Sequence, residues 1–281
     1  MGPSPTWITR IVSFIIMSHD GTAKAAGVPP PVDLSHRARR GGHPPLRSPM
    51  ERPLTRLYED DRCVFILKPP RILSVAAPGG RARAKGAPVD RRLRAEGLTA
   101  LPVHRLDYET SGVLILAKDE EARTLLADLF RSRSVEKEYT ALLQRRPRAP
   151  RGRLAFPILD LGATARISGA GKPALTHYEV VSMHGPCALV RANPVTGRHN
   201  QIRLHFAHIH CPLVGERKFA LGRRAVVRHK RALLHAHALT LRLPWKDSRL
   251  RVEAPLARDF QNVLQKLDSQ PPTVGPAPPQ R

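Results

Sequence analysis

The chain has 281 residues, of which 41% are apolar, and this is enough to bury the core of one large domain or two small ones. Lysine and arginine number 47 against 23 acidic residues, so the formal net charge is +24 at pH 7. This excess of positive charge favours a polyanionic partner, and nucleic acid is the first to consider. Charge alone does not identify an activity.

The three cysteines are few and far apart, at Cys63, Cys187 and Cys211. This number and spacing exclude a disulfide framework and a zinc site of the CxxC type, so we interpret the thiols as reduced in an intracellular protein. The segment HFAHIHC, residues 205–211, places three histidines beside Cys211 but matches no common ligand spacing. We therefore expect no metal there and interpret these histidines as helix and loop residues near RNA.

Both ends of the chain lack the apolar periodicity from which a core is built. Residues 1–52 are rich in proline, glycine and arginine and predict a disordered basic extension, and residues 269–281 predict a disordered proline-rich tail. The apolar stretch from Trp7 to Met17 is too short to span a bilayer, so no membrane partner is expected. Three interpretations of the extension stay open: an RNA-holding arm, an organelle-targeting segment, or translation from a wrongly assigned start.

Residues 53–268 carry the patterning of one catalytic domain, and its segments are mostly short strands bounded by glycine, proline, aspartate or asparagine. The predicted strands are LTRLYED, CVFILKP, GVLILAK, KEYTALL, THYEVVSM, CALVRAN, HALTLRL and LRVEAP. Helical spacing is found over 122–130 and 260–267, and a third helix is expected in NQIRLHFAHI. The fold class predicted is α+β, with an extended mixed, largely antiparallel sheet and flanking helices.

The segment VHRLDYETSGVLILAKD, residues 103–119, sets one carboxylate just before a strong strand. Asp107 lies two residues from Arg105, and a nearby cation is expected to keep it ionised and available as a nucleophile. The Thr-Ser-Gly sequence that follows is typical of a tight turn. On these residues alone, an aspartate that forms a turn or a salt bridge remains the alternative.

His104 to Gly112 resemble the HRLDxxTSG signature of the RluA-type pseudouridine synthases. Further blocks resemble the same family in order and spacing over about residues 54–267: LTRLYEDDRCVFILKPPRILSV, EKEYTALL, PVTGRHNQIRLHFAHIHCPLVGERKFALG, RALLHAHALTLRLP and LRVEAPLARDF. The resemblance implies the pseudouridine synthase catalytic fold and an isomerase that converts uridines of RNA to pseudouridine.

The resemblance also implies roles for particular residues. Asp107 would be the nucleophile, attacking the sugar or the uracil ring, and Tyr139 would lie against the extracted base. Arg203 would pair with Asp107 and keep it ionised and oriented. Arg105 would fill the gap left by the flipped uridine.

A second set of residues is implied to bind RNA. His104 belongs to the signature, and Arg198 and His199 lie in a glycine turn where they would meet phosphate, with solvated loop charges as the alternative. Leu204 is assigned to the apolar pocket wall or to the helix core. The loop over residues 74–97 holds arginines at 81, 83, 91, 92 and 94 that would grip the RNA backbone or be solvated.

The chain departs from the family pattern at four positions. Asn200 and Cys211 each replace a histidine, Leu67 replaces a polar residue of the NKPxG turn, and Arg71 replaces its glycine. None of these removes a residue of the implied catalytic set, but Arg71 leaves the local bend in question.

The expected partner is ribosomal or transfer RNA, with no cofactor, no metal and a monomeric chain. The expected location is the cytoplasm, or an organelle if the first fifty residues are a transit segment. The first alternative function is a catalytically idle RNA-binding or ribosome-assembly factor on the same fold. The second is a glycosidase-like enzyme with two carboxylates, for which the spacing offers Asp107 no clear partner.

Overall fold

The computed structural model describes residues 53–75, 87–220 and 225–269. Three predicted features lie outside these ranges: the extension over 1–52, nearly all of the tail over 269–281, and arginines 81 and 83. The described residues form these elements: β1 (Arg56–Glu59), β2 (Cys63–Lys68), α1 (Val89–Ala95), β3 (Leu101–Pro102), β4 (Ser111–Ala117), α2 (Glu120–Arg131), β5 (Glu136–Leu143), β6 (Arg151–Leu154), β7 (Ile158–Asp160), β8 (Ala165–Ile167), β9 (Thr176–His184), β10 (Cys187–Pro194), α3 (Gln201–His208), β11 (Leu234–Arg242), β12 (Arg249–Glu253) and α4 (Arg258–Asp268).

Ten of the strands form one sheet in the order β1-β2-β4-β11-β5-β10-β9-β6, with β3 paired to β4 and β12 to β11. Neighbouring strands are antiparallel except β4 and β11, which run parallel where Ser111 lies opposite His235. β7 and β8 form a separate two-stranded hairpin. The predicted α+β class with a mixed, largely antiparallel sheet is confirmed.

Helices cover both faces of the sheet, and the burial of β4 shows this most clearly. Every residue of β4 is buried. Successive side chains of a strand point to opposite faces. Val113 and Ile115 therefore join a core cluster with Leu126 of α2, while Leu114 joins a second cluster with Leu93 of α1. The same arrangement recurs on β5 and β10, where α3 packs on one face and α4 on the other.

The eight predicted strands and three predicted helices all form. The segment expected to be a connecting loop is partly helical, since Val89–Ala95 is α1, anchored by buried Val89 and Leu93. No helix within the described ranges is both long enough and apolar enough to cross a membrane.

Candidate active site

A cavity of about 500 Å³ lies where the loop before β4, strand β5 and the start of α3 meet. Asp107 and Tyr139 both line it, although they are 32 residues apart in the chain. Its other lining residues are Arg105, Leu106, Thr110, Lys137, Asp160, Gly162, Pro194, Thr196, Gly197, Arg198, His199, Asn200, Gln201, Ile202 and Leu234. A carboxylate and an aromatic ring therefore meet in one space that cationic side chains border.

The loop that carries Asp107 is fixed by backbone contacts to the segment after β2. The Ser74 hydroxyl bonds to both the amide and the carbonyl of Leu106, each at 3.0 Å. The Arg71 amide donates to the Tyr108 carbonyl at 2.7 Å, and the Thr110 amide donates to the Asp107 carbonyl at 3.0 Å. Because the backbone is held on both sides, the half-buried Asp107 side chain has a defined direction.

Lys68 supports the other end of the same loop from inside the protein. Its side chain is fully buried, and Nζ donates to the carbonyls of Thr110 at 2.7 Å and Pro69 at 3.0 Å. Burial lowers the pKa of Lys68 to about 7, although the negative charge of Asp107 acts in the opposite direction. Lys68 therefore supports the loop that carries Asp107.

The bend left in question by Arg71 does form. Arg71 has a φ of 62°, the left-handed conformation that glycine adopts without strain, and its amide still bonds to the loop. Its guanidinium donates to the Lys230 carbonyl at 2.8 Å. The arginine thus keeps the backbone path of the family glycine, at a conformational cost of about 1–2 kcal/mol.

Behind the loop, β4 passes very close to β11. A side chain on Gly112 would place its Cβ 2.1 Å from the Ala236 carbonyl oxygen, and Gly112 has a φ of 118°. Next to it, Ser111 Oγ lies 2.9 Å from Nδ1 of His235, whose Nε2 lies 3.3 Å from the Ala254 carbonyl. Since Nε2 must donate to that carbonyl, Nδ1 accepts and Ser111 donates. Burial lowers the pKa of His235 to about 3, so the ring is neutral.

Tyr139 lies in β5 between Ala192 of β10 and Ala236 of β11. Burial raises the pKa of its phenol well above the ordinary value, and the charge of Asp107 adds to this effect. The residue is therefore a neutral phenol at pH 7. This state favours stacking and hydrogen-bond donation over action as a phenolate.

Arg203 differs from expectation in its direct partner. Its guanidinium donates to Glu216 at 2.6 and 2.9 Å and to the Asn200 side-chain oxygen at 3.1 Å. Among the residues that the structure describes, Arg203 and Asp107 form no ion pair. Although burial disfavours its charge, the bonds to Glu216 and the charges of Glu216, Asp107 and Glu109 raise the pKa of Arg203. The positive charge of Arg203 therefore interacts with Asp107 over a distance longer than that of an ion pair.

Three further acidic residues and one arginine hold this region together: Glu109, Glu216, Asp259 and Arg231. Glu109 accepts hydrogen bonds from Arg217 and from the Ala232 amide, each at 3.2 Å, and lies 3.9 Å from Arg203. Arg231, only 1% exposed, donates to Asp259 at 2.7 and 2.8 Å and to the Glu109 carbonyl at 3.0 Å. Glu216 and Arg231 lie in sequence blocks that resemble the family. That resemblance is the sequence signal that could have identified them.

Three of the five expected RNA-binding residues border the cavity: Arg105, Arg198 and His199. Arg105 is exposed. Arg198 Nε donates to the Pro173 carbonyl at 3.1 Å, and His199 Nδ1 lies 3.2 Å from Asp160. The His199 bond, with the Gly162 amide, lowers the pKa of Asp160.

The other two, His104 and Leu204, do not line the cavity, and their assignment as RNA contacts stays a prediction. The His104 ring stacks on Phe130 with centroids 4.4 Å apart, and its Nε2 accepts from the Ile115 amide at 3.2 Å. Burial lowers the pKa of His104 to about 3, so the ring stays neutral. Leu204 packs in a core cluster with Phe219, and Ile202 lines the cavity instead.

The remaining departures from the family pattern are accommodated locally. Asn200 adopts a φ of 54°, which asparagine tolerates better than most residues, and contacts Arg203. Leu67 packs against the core cluster of β2 and β4. Cys211 is buried, with Sγ 3.7 Å from the Arg146 carbonyl. Among residues the structure describes, no group of three or more histidine, cysteine or acidic side chains could hold a metal ion.

Asp107 and the neutral phenol of Tyr139 line one cavity with cationic side chains, on a chain of net charge +24, and this combination fits an enzyme that acts on nucleic acid. Residues 62–208 match the family described as RNA pseudouridylate synthase. The chain is 34% identical to the ribosomal large subunit pseudouridine synthase C of Escherichia coli (strain K12) over 250 residues, which cover 85% of this chain and 77% of that protein. It is 33% identical to an RNA pseudouridine synthase of Mycobacterium bovis over 224 residues, covering 76% and 73%.

Solved structures agree with this assignment. Human RNA Pseudouridylate Synthase Domain Containing 4 is 25% identical with a TM-score of 0.63, covering 78% of this chain and 95% of that one. Human RNA Pseudouridylate Synthase Domain Containing 1, at 23% identity and a TM-score of 0.60, shares the fold. The chain belongs to the RluA-type RNA pseudouridine synthases and is an isomerase that acts on RNA.

Proposed function

We propose that this chain converts a uridine of large-subunit ribosomal RNA to pseudouridine, with Asp107 as the nucleophile. The observation that carries the proposal is that Asp107 and Tyr139 line one cavity. The ribosomal target is supported by the name of the relative that is 34% identical to the chain, and transfer RNA is the alternative substrate.

The reaction is balanced without any added reagent. The bond from N1 of uracil to C1′ of the ribose breaks, the base turns, and a bond from C5 to C1′ forms, while the C5 proton leaves and N1 gains one. Asp107 attacks either the sugar or the uracil ring to release the base. No oxidant, reductant or group donor is consumed, and we propose catalysis without a metal or an organic cofactor.

The cavity supports a role for each neighbouring residue. A uridine must leave its stack to reach Asp107, and the exposed Arg105 at the cavity edge fills the space that it leaves. The neutral ring of Tyr139 stacks on the base. Arg203, fixed by Glu216, orients Asp107 through its charge. Arg198 and His199, which also line the cavity, contact phosphate.

We further propose a monomer that works in the cytoplasm, with an organelle as the alternative location. The three free, buried cysteines support a reducing compartment. Sedimentation of the purified chain would test the monomer, and a tagged full-length chain would test the location.

The activity is tested with large-subunit ribosomal RNA transcribed with uridine that carries tritium at C5. Since C5 loses its hydrogen only when the new bond forms, tritium release into water measures turnover. We expect release by the wild type and by Asp61→Asn, an exposed control distant from the cavity in sequence, and none by Asp107→Asn. Equal release by Asp107→Asn would overturn the nucleophile assignment, and RNA binding without any release by the wild type would favour the idle binding factor.

A further inference from the structure

Two cations, Arg105 and Lys137, line the cavity, and a third, Arg133, is close enough to Lys137 for its charge to act on it. Exposed Arg133 lies in the turn between α2 and β5. The loop that carries Arg105 is held against the end of α2 by the stack of His104 on Phe130, at 4.4 Å. We refer to Arg105, Arg133 and Lys137 as the cation cluster.

Successive side chains of β5 point to opposite faces of the sheet, and this separates the cation cluster from the acidic residues. Lys137 and Tyr139 are two residues apart and share the cavity face, while Glu138 points to the other face. Glu138 lies 3.4 Å from Arg251 and 3.8 Å from His237, so cations on that face have an acidic partner. In the part of the chain that the structure describes, no carboxylate lies within ion-pairing distance of Arg133 or Lys137.

The two arginines within α2 itself provide the contrast. Arg123 pairs with Glu120, and Arg131 pairs with Asp128, each one turn away. Arg133 comes two residues later and has no such partner among described residues, and its φ is 62°. Its positive charge acts on Lys137, and this repulsion, after burial, lowers the pKa of Lys137. Like charges left close together and unpaired are stabilised when an anion binds between them.

We propose that Arg133 and Lys137 of the cation cluster bind phosphodiester groups of the RNA strand next to the target uridine, while Arg105 fills the space that the uridine leaves. The ligand follows from position, because a base that enters the cavity brings its own backbone to the cavity edge. The identification of the anion as RNA rests on the proposed function. The cluster is made of residues other than Arg198 and His199, so it adds to the backbone contacts proposed for those two residues.

The test measures the salt dependence of RNA binding. Fluorescence anisotropy gives the affinity for single-stranded poly(U) over a series of KCl concentrations for Arg133→Asn, Lys137→Gln and the double variant. Asparagine removes the charge and tolerates the left-handed backbone at position 133. Each phosphate contact contributes about 0.7 to the slope of log affinity against log salt for single strands. We expect the slope to fall by about 0.7 in each single variant and about 1.4 in the double variant.

Arg123→Gln is the matched control, since Arg123 is an exposed arginine of α2 that already has a carboxylate partner, and its slope should equal that of the wild type. An unchanged slope in a folded Arg133→Asn protein, or an equal fall in Arg123→Gln, would overturn the proposal. The binding assay involves no turnover. If the slope falls as expected but the wild type releases no tritium from ribosomal RNA, the phosphate site stands and the proposed function fails.

Discussion

Arg203 is held by Glu216 through two hydrogen bonds, from Nε to Oε2 at 2.6 Å and from Nη2 to Oε1 at 2.9 Å. The Glu216 side chain has no exposed surface and also accepts from the backbone amides of Lys218 and Phe219 at 2.8 and 3.1 Å. The guanidinium is therefore fixed before any RNA binds. Its positive charge reaches Asp107 from a set position and not from a mobile side chain.

Glu216→Gln should lower both stability and activity. The substitution leaves the arginine charge buried without its counterion, and breaking such a pair costs about 3 kcal/mol. We expect the free energy of unfolding, measured in urea, to fall by about this amount, and kcat to fall even under conditions where the variant is folded.

Arg217→Gln serves as the control for that substitution. Arg217 is exposed and pairs with Glu109 at 3.2 Å near the same loop, so its loss should change stability by less than about 0.5 kcal/mol. Equal losses of stability in the two variants would contradict the special position of Glu216.

Lys68→Met should change how stability depends on pH. The pKa of Lys68 is lowered to about 7 in the folded protein from 10.5, so between these values the unfolded chain binds more protons than the folded one. The stability of the wild type should consequently rise with pH across this range, by up to about 1.4 kcal/mol per pH unit from this group. Urea unfolding at pH 7 to 10 gives the free energy of unfolding of the wild type and of Lys68→Met. The difference between the two free energies should rise with pH, and a constant difference would contradict the prediction.

Gly112→Ala should destabilise the protein by more than about 3 kcal/mol. The new methyl group would lie 2.1 Å from the Ala236 carbonyl oxygen, and a φ of 118° is unfavourable for alanine. Gly169→Ala, where nothing lies within 4 Å, should change the melting temperature little. Similar melting temperatures for the two variants would show that β4 and β11 do not approach so closely.

His104 and Arg105 are neighbours with opposite roles in this account. His104→Ala removes the ring stacked on Phe130 and the acceptor for the Ile115 amide, and should cost about 2–3 kcal/mol of stability while lowering poly(U) affinity less than Arg105→Gln does. Arg105→Gln should weaken poly(U) binding and leave stability within about 0.5 kcal/mol of the wild type. Thermal melting and anisotropy on both variants check this, and the reverse result would restore His104 as an RNA contact.

The sequence was most informative where local patterning determines the structure. The eight strands and three helices follow from alternation and helical spacing. The HRLDxxTSG resemblance led to Asp107 and the EKEYTALL resemblance to Tyr139, and the two residues line one cavity. Helix α1 was missed because VDRRLRA offers only two apolar residues, Val89 and Leu93, to signal it.

The partners of charged and buried side chains could not be predicted in the same way. Arg203 meets Glu216 only because the chain returns past α3, and no periodicity encodes that contact. Within α3, every residue from Gln201 to Ala207 is buried, so spacing could not tell that Ile202 lines the cavity while Leu204 packs in the core. His104 and Arg105 are adjacent, yet one is half-buried against Phe130 and the other is exposed.

The most direct measurement is a map of pseudouridine in total RNA from cells that lack this gene, rescued by the wild type or by Asp107→Asn. We predict that one or more pseudouridines in large-subunit ribosomal RNA disappear on deletion and return only with the wild type. Full restoration by Asp107→Asn, or no change at any site in any class of RNA, would contradict the central claim.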